Sequence, residues 1–475
     1  MNKLLYPAAL LASFGQTVEA QQQKVSSKPN IVFILTDDQR LQGTIHALGG
    51  NEVITPNIDK LVKDGVSFTN AYIMGGSHQA VSMPSRNMLI TGRNLFSMGD
   101  KEGRKIDDNQ STIGETFGTA GYSTYGIGKW HNNISAFNRT FQNGDEIFFG
   151  GMSPDPYHSG LFHYQKDAAY SEFFPNADGL ATKERGDHSY PGKHHTEIFG
   201  ESAVKFINSY KEDKPFFLYV AFKSPHDPRI MPEKYKAMYD TAKIAVPVNF
   251  MESHPFDNGE LNVRDEKLIA NPRTRSAVKI EIRNYYAMMT HLDEQIGNII
   301  NSLKEKGLYE NTIIVFTGDN GLALGQHGLL GKQNLYEPSI KVPLIFVGKG
   351  LPKGTINTDN AYLFDIFPTM CNLSGTQIPA TVQGIPLLGK KISKREVMYF
   401  SYRDYQRAVR KGDWKLIEYR TAKGIRNTQL FDLKNDPDEM NNLAEKKDFI
   451  KQLTEMRAEL EKQRVLYNDP FKIDE

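Results

Sequence analysis

Residues 28–40 read Lys28-Pro29-Asn30-Ile31-Val32-Phe33-Ile34-Leu35-Thr36-Asp37-Asp38-Gln39-Arg40. The run Ile31–Leu35 is apolar throughout and rich in β-branched residues. It shows no alternation, which predicts a strand buried on both faces of a parallel sheet. It stops at two adjacent carboxylates. Ligands of open α/β sheets bind at the carboxyl ends of strands, and there Asp37 and Asp38 repel each other unless a cation lies between them. Asp-Asp pairs are also frequent in loops, so this pair alone does not decide between a site and a polar junction.

The same pattern recurs along the chain. Tyr122–Gly128 reads as a strand that ends in Lys129-Trp130-His131. Residues two apart in extended chain face one side, so Lys129 and His131 can reach one site together. Pro215–Phe222 is a further buried strand and ends in Lys223-Ser224-Pro225-His226. Thr312–Thr317 ends in Gly318-Asp319-Asn320-Gly321, where Asp and Asn offer oxygen ligands suited to a hard divalent cation. The flanking glycines permit a tight backbone path. Val66–Tyr72 and Val342–Val347 also read as strands. Helices are predicted from Thr55, with Pro56 in the first turn, and over Thr112–Gly121, Glu197–Tyr210, Val278–Lys306 and Asp365–Ser374. Strands alternating with helices imply an α/β fold, a mostly parallel sheet flanked by helices. On that sheet Asp37, Asp38, Lys129, His131, His226, Asp319 and Asn320 all leave from carboxyl ends. The glycine-rich stretch Gly325–Lys332 contributes His327 and Lys332 but lacks the closing Gly-Lys-Ser/Thr of a nucleotide phosphate loop.

Gln383–Leu387 marks a boundary between a larger unit, residues 21–385, which carries the converging strand ends, and a smaller C-terminal α+β subdomain, residues 386–475. In the latter, Val397–Tyr402, Arg407–Arg410, Trp414–Ile417 and Gln429–Leu433 read as antiparallel strands, and Asn442–Leu466 as a charged helix. From Phe148 to His195 periodicity is lost, and Gly, Pro, Tyr and His dominate. A long irregular stretch within a compact domain is usually functional or disordered, and its aromatics suit stacking on sugar rings. The five histidines from His158 to His195 show no metal-ligand spacing.

With 57 basic and 56 acidic side chains, the chain has a net charge of +1, which argues against nucleic-acid binding and polybasic membrane contact. Anion specificity must therefore come from a local cluster. The single cysteine, Cys371, excludes a disulfide within the chain. Residues 1–20, with Lys3 ahead of the mostly apolar Leu4–Phe14, read as a signal peptide cleaved before Gln21, which implies a periplasmic or secreted protein. No later segment reaches the uncharged length of about 18 residues needed to span a membrane.

One stretch remains: Ser82-Met83-Pro84-Ser85-Arg86-Asn87-Met88-Leu89-Ile90-Thr91-Gly92-Arg93. Pro84 biases Met83 away from helix, so a helix is predicted to begin near Ser85, with Ser82 just ahead of free backbone N–H groups. The stretch resembles the signature of the type I sulfatases: Cys or Ser, any residue, Pro, Ser, Arg, then Thr-Gly-Arg. The resemblance extends from Pro29 to Leu443 and includes Thr-Pro-Asn-Ile-Asp at 55–59 and the segment 430–443. It implies an alkaline-phosphatase-like fold and hydrolysis of sulfate esters, with a sulfated carbohydrate (glycosaminoglycan, mucin or algal glycan) as substrate. It further implies that Ser82 becomes formylglycine and that Asp37, Asp38, Asp319, Asn320 and the modified Ser82 hold a calcium ion. By the same resemblance, Arg86 holds the aldehyde hydrate, and Lys129 and Lys332 neutralise sulfate oxygens. His131 deprotonates the hydrate, and His226 is the general acid on the leaving-group side. His327 is the next candidate for substrate contact. Serine at the modified position resembles the subgroup matured by a radical iron–sulfur enzyme. Two competing readings use the same sheet: a phosphoester or phosphonate hydrolase with an unmodified nucleophile, and a non-catalytic glycan-binding protein.

Overall fold

The structure is a computed structural model that describes residues 28–166 and 186–471. The signal peptide expected over residues 1–20, and the part of the irregular stretch between residues 167 and 185, lie outside the described residues. The strands are β1 (Asn30–Thr36), β2 (Val66–Tyr72), β3 (Gly75–Gly76), β4 (Ser123–Lys129), β5 (Asn143–Phe148), β6 (Phe216–Ala221), β7 (Thr312–Gly318), β8 (Lys341–Val347), β9 (Thr355–Tyr362), β10 (Val397–Tyr402), β11 (Gln406–Lys411), β12 (Trp414–Arg420) and β13 (Arg426–Asp432). The helices are α1 (Pro56–Asp64), α2 (Ser82–Thr91), α3 (Ile113–Thr119), α4 (Ile134–Thr140), α5 (His195–Ser209), α6 (Glu233–Lys236), α7 (Arg275–Glu305), α8 (Glu337–Ile340), α9 (Ile366–Ser374) and α10 (Ile450–Leu466).

Eight strands form the main sheet in the order β5-β4-β6-β1-β7-β8-β2-β9. Every neighbouring pair is parallel except the two that β8 makes, antiparallel to β7 and to β2. β1 runs between β6 and β7, and its apolar residues divide by pleat. Ile31, Phe33 and Leu35 join a core shared with α2, α3, α9 and the C-terminal sheet, while Val32 and Ile34 join one built on α1, α5 and α7. Two faces buried under two helical layers explain the absence of alternation in that strand.

The second sheet, β13-β12-β11-β10-β3, is antiparallel through its first four strands. Its last strand comes from the other end of the chain. Gly75 and Gly76 pair in parallel with Ser401 and Tyr402, and a Cβ on Gly75 would come within 1.9 Å of the Ser401 carbonyl oxygen. Glycine is therefore required where the C-terminal sheet reaches the segment leading into α2.

Three helix starts differ from those expected by three residues or more; α7 begins at Arg275 rather than Val278, capped by the Thr274 hydroxyl, which accepts from the Ala277 amide. α2 begins at Ser82 rather than near Ser85. Pro84 then lies in the first turn, where the missing N–H has no intrahelical acceptor to lose, so proline does not delay the helix. α10 begins at Ile450 rather than Asn442. The Asn442 side chain accepts from the amides of Leu430 and Ala444, at 2.9 and 3.0 Å, and ties this segment to β13. Among the described residues no helix is long and apolar enough to cross a membrane.

Candidate active site

β4, β6, β1 and β7 are consecutive, parallel neighbours, so their carboxyl ends open at one edge of the sheet. Lys129 and His131, His226, Asp37 and Asp38, and Asp319 and Asn320 follow these four ends in that spatial order. Backbone bonds lock the ends together: the Asp37 amide donates to the Ser224 carbonyl at 3.2 Å and the Asp319 amide to that of Thr36 at 2.9 Å. Asp38 takes a left-handed conformation (φ 64°). The Tyr285 hydroxyl of α7 holds it there by donating to its carbonyl at 2.7 Å.

Three buried carboxylates meet three buried cations here. Lys129 Nζ lies 2.5 Å from Asp37 Oδ2, Lys332 Nζ 2.6 Å from Asp38 Oδ1, and Arg86 Nε 2.8 Å from Asp319 Oδ2. The Asn320 amide nitrogen donates to Asp38 Oδ1 at 2.8 Å, and the Asp38 amide donates to Asp319 Oδ1 at 3.0 Å. Burial pushes Asp319 up to about 7, helped by the charge of Asp37 beside it. Burial acts on Asp37 in the same direction, but Lys129, His226 and Arg86 hold its carboxyl far below the usual range. The network is nevertheless incomplete: Asp37 Oδ1 and Asn320 Oδ1 are buried without a hydrogen-bond partner. Arg86 Nη2 is 3.9 Å from the former. Oxygens that lack donors, between carboxylates that repel each other, fit a bound divalent cation, and an all-oxygen set of this kind suits a hard one. Lys129 and Lys332, expected to meet an anionic substrate, here also neutralise Asp37 and Asp38.

Ser82 opens α2, a helix whose ten residues are all buried. Its Oγ lies 3.0 Å from His131 Nδ1. His131, only partly open to solvent, is held well below the usual imidazole range by desolvation and by the Lys129 ammonium. Its lone pair is thus available at neutral pH. The helix start does not offer the expected amide cradle. Met83 N–H is taken by the Ala80 carbonyl and Ser85 N–H by that of Val81, and Pro84 has none.

His226 is mostly buried. Its Nδ1 lies 2.6 Å from the Asp227 carbonyl oxygen, which turns Nε2 toward Asp38 Oδ2 at 3.6 Å. Arg264 holds the Asp227 carboxylate through both terminal guanidinium nitrogens. His327 is packed elsewhere. It stacks on Tyr336 with ring centroids 3.9 Å apart, its Nε2 is 3.2 Å from the Asn249 side-chain nitrogen, and His254 donates to its carbonyl. Burial, with His254 and Lys415 nearby, pushes it down to about 3, as expected of a packed neutral ring.

Three contributors escape the sequence reading. Tyr285 sits mid-helix in a pattern that reads only as amphipathic. Gly151 lies so close to His131 that a Cβ would approach Nε2 to 2.7 Å, and nothing in a glycine-rich loop distinguishes it. Lys223 is buried at the end of β6, its Nζ 3.1 Å from Ser159 Oγ and 3.8 Å from the centre of the Phe148 ring. Its position three residues before His226 is the one signal that could have found it.

Residues 29–376 match the sulfatase family, and residues 325–466 match the C-terminal region of N-sulphoglucosamine sulphohydrolase. The N-acetylglucosamine-6-O-sulfatase of Bacteroides thetaiotaomicron is 26% identical, with 98% of this chain and 91% of that protein covered. An ulvan-active sulfatase of Formosa agariphila is 28% identical, with 98% and 88% covered. A solved structure in complex with its substrate D-glucosamine-2-N,6-O-disulfate superposes with a TM-score of 0.75 at 24% identity, over 94% of this chain and 99% of that one. With the signature at Ser82 set among converging strand ends, and with the family match spanning most of the chain, this protein belongs to the type I sulfatases, enzymes that hydrolyse sulfate esters.

Proposed function

We propose that the protein hydrolyses sulfate esters of carbohydrates, with Ser82 oxidised to formylglycine and a calcium ion held by Asp37, Asp38, Asp319, Asn320 and the modified Ser82. The observation that carries this reading is the pair of buried, unpartnered oxygens, Asp37 Oδ1 and Asn320 Oδ1, in the same site as a serine hydroxyl 3.0 Å from His131 Nδ1. Three carboxylates and an amide favour calcium over the zinc that imidazole-rich sites select. When bound, the ion would supply positive charge against a sulfate oxygen, and formylglycine would supply a hydrated aldehyde as nucleophile.

The chain's own side chains do the remaining work. His131 Nδ1 accepts a proton from the hydroxyl at position 82. Arg86, bonded to Asp319 Oδ2 and to the Lys129 carbonyl, fixes β4 against β7 behind the nucleophile. Lys129 and Lys332 place two ammonium groups where charge grows on the sulfuryl group, a form of stabilisation that needs no reorganisation during reaction. His226 Nε2 delivers a proton to the departing oxygen.

A sugar substrate is supported by the relatives, which are named for N-acetylglucosamine and for ulvan, and by the solved complex with a disulfated glucosamine. These names differ in sugar and share the class of sulfated carbohydrate. A signal peptide over residues 1–20 would place the enzyme in the periplasm or outside the cell, where such glycans are met. Serine at the modified position calls for a radical iron–sulfur maturation enzyme as partner.

The test is the mass of the tryptic peptide Asp64–Arg86 from active protein made in its native host. It is expected to be lighter than the unmodified peptide by two hydrogens. An unmodified peptide in fully active protein overturns the reading.

A further inference from the structure

The geometry points to a second metal site, outside the active site, in which His163, Asp187 and His188 bind a transition ion of the zinc class. The sequence hides it because its ligands are distant in the chain. The fold assembles them by extending the edge of the main sheet beyond β5. Ile147 pairs antiparallel with Phe162, and Leu161 pairs antiparallel with His188 through reciprocal backbone bonds of 2.9 and 3.3 Å. This ribbon brings His163 and the Asp187-His188 pair together beside Glu146 of β5.

The donor set is specific. His163 Nδ1 and His188 Nδ1 both face Asp187 Oδ1, at 3.1 and 2.5 Å, and the three ligand atoms all lie within 4.8 Å of one another. The two imidazoles stand side by side with centroids 3.9 Å apart. The His163 amide also donates to both Asp187 carboxylate oxygens at 3.2 Å, which fixes that carboxylate in place. Zinc binds such atoms at about 2 Å, so the three ligands need only small shifts to surround one ion.

The surroundings provide a second, independent sign. The other nitrogen of His188, Nε2, lies 2.7 Å from Glu146 Oε2, and the Tyr190 hydroxyl donates to Glu146 Oε1, also at 2.7 Å. Glu146 is buried (5% exposed) although carboxylates seldom are. A carboxylate that takes the far N–H of a ligating histidine fixes its tautomer and turns the near nitrogen toward the metal. The His163 and Asp187 side chains are partly open to solvent, 61% and 31% exposed, which gives an ion a route in and leaves room for water as a fourth ligand. Two imidazoles select against calcium, so this site and the oxygen-lined one do not compete for the same ion. An ion here would fasten the irregular stretch, which lays Gly151 against His131, to the sheet edge.

The test uses the whole protein, saturated with calcium, freed of transition ions and titrated with Co2+ and then with Zn2+. Expected is one equivalent of Co2+ with visible d–d absorption, displaced by Zn2+ and unchanged in Asp37→Asn, which lies in the other site. His163→Ala, at a mostly exposed position, should abolish the absorption without harm to the fold. Glu146→Gln should weaken binding by about 10–100-fold. Absence of the absorption, which would leave His188 as an imidazolium between two carboxylates, overturns the proposal. So does absorption that survives in both His163→Ala and His188→Ala, or that vanishes in Asp37→Asn.

Discussion

The Ser82 hydroxyl and the His131 imidazole meet at 3.0 Å across the junction of α2 and β4, with Gly151 against the Nε2 side of the ring. His131 is itself in a left-handed conformation (φ 71°), directly after the strand that presents Lys129. The imidazole is thus aimed by backbone on one side and by the glycine-rich loop on the other. Neither constraint involves the substrate, so the pair is set before anything binds.

Gly151→Ala follows from that contact. The added methyl would sit 2.7 Å from His131 Nε2, closer than real Cβ contacts, and the imidazole must move. A displacement of about 1 Å from reactive geometry can cost on the order of 100-fold. kcat is expected to fall by about that factor while Tm stays near the parent value, because the loop backbone can keep its path. Parent-like kcat would show that His131 does not depend on Gly151 for its position.

Lys332→Ala is expected to lower activity without weakening calcium binding. The Lys332 ammonium lies 2.6 Å from Asp38 Oδ1 and competes with a cation for that carboxylate. Its removal should leave calcium affinity unchanged or tighter by calorimetry. kcat/KM on a sulfate ester should nevertheless drop by about 10²–10³, the typical cost of losing one preorganised charge that faces the reacting group. A loss of calcium binding alongside activity would make Lys332 a support of the metal ligands and not a group that acts on sulfate.

Much of the sheet was legible because its central strands are buried on both faces. The runs at Ile31–Leu35, Phe216–Ala221 and Ile313–Phe316 carry apolar residues without a break, and each ends in charge. The edges were not legible. β5 reads Asn-Gly-Asp-Glu-Ile-Phe and β9 Thr-Ile-Asn-Thr-Asp-Asn-Ala-Tyr, edge strands whose polar residues imitate loops. β3 is two glycines, invisible until Ser401 pairs with it. In the site, groups on strand ends could be assigned because parallel strands carry them to one edge. His327 could not be placed the same way, since a glycine-rich loop has no period to tell which side chain turns inward. The cluster of His163, Asp187 and His188 depends on a pairing between segments far apart in the chain, which no local spacing records.

His254 and His327 give a pH dependence with a definite sign. Burial lowers them to about 4 and about 3, so the folded protein keeps both neutral where an unfolded chain, with its ordinary value of 6.5, takes up protons. Their contribution to stability is present above pH 6.5 and is lost as the pH falls toward the folded values. Several buried carboxyls titrate in the opposite sense, so the comparison must be with a variant. His327→Phe keeps the stack on Tyr336 and removes the titration. In urea unfolding with calcium present, it should be the less stable protein at pH 7.5. The gap should narrow by about 1.4 kcal/mol at pH 5.5, one unit below the unfolded value. A gap that stays constant between the two pH values would mean that His327 does not stay neutral in the fold.

His226→Ala is expected to separate two kinds of leaving group. Nδ1 is engaged with the Asp227 carbonyl, so only Nε2 faces the site, and it does so beside Asp38 and not beside Ser82. In the proposed mechanism this imidazole donates a proton to the oxygen leaving sulfur. A sugar alkoxide leaves poorly and needs that proton, whereas a nitrophenolate leaves without it. The variant should therefore lose about 10²–10⁴ in kcat/KM on a sulfated oligosaccharide, the usual worth of a general acid, and far less on nitrophenyl sulfate. If His226 instead contacted the sulfuryl oxygens, both substrates would suffer alike, because both present the same group. Asp227→Asn offers a comparison: it removes the carboxylate charge 3.5 Å from His226 Nδ1 and weakens the Arg264 contact, while the carbonyl that orients Nδ1 remains. It should cost much less on the oligosaccharide than His226→Ala does. Equal losses on the two substrates in His226→Ala would remove the imidazole from the proton-donor role and leave it as part of the anion-binding wall.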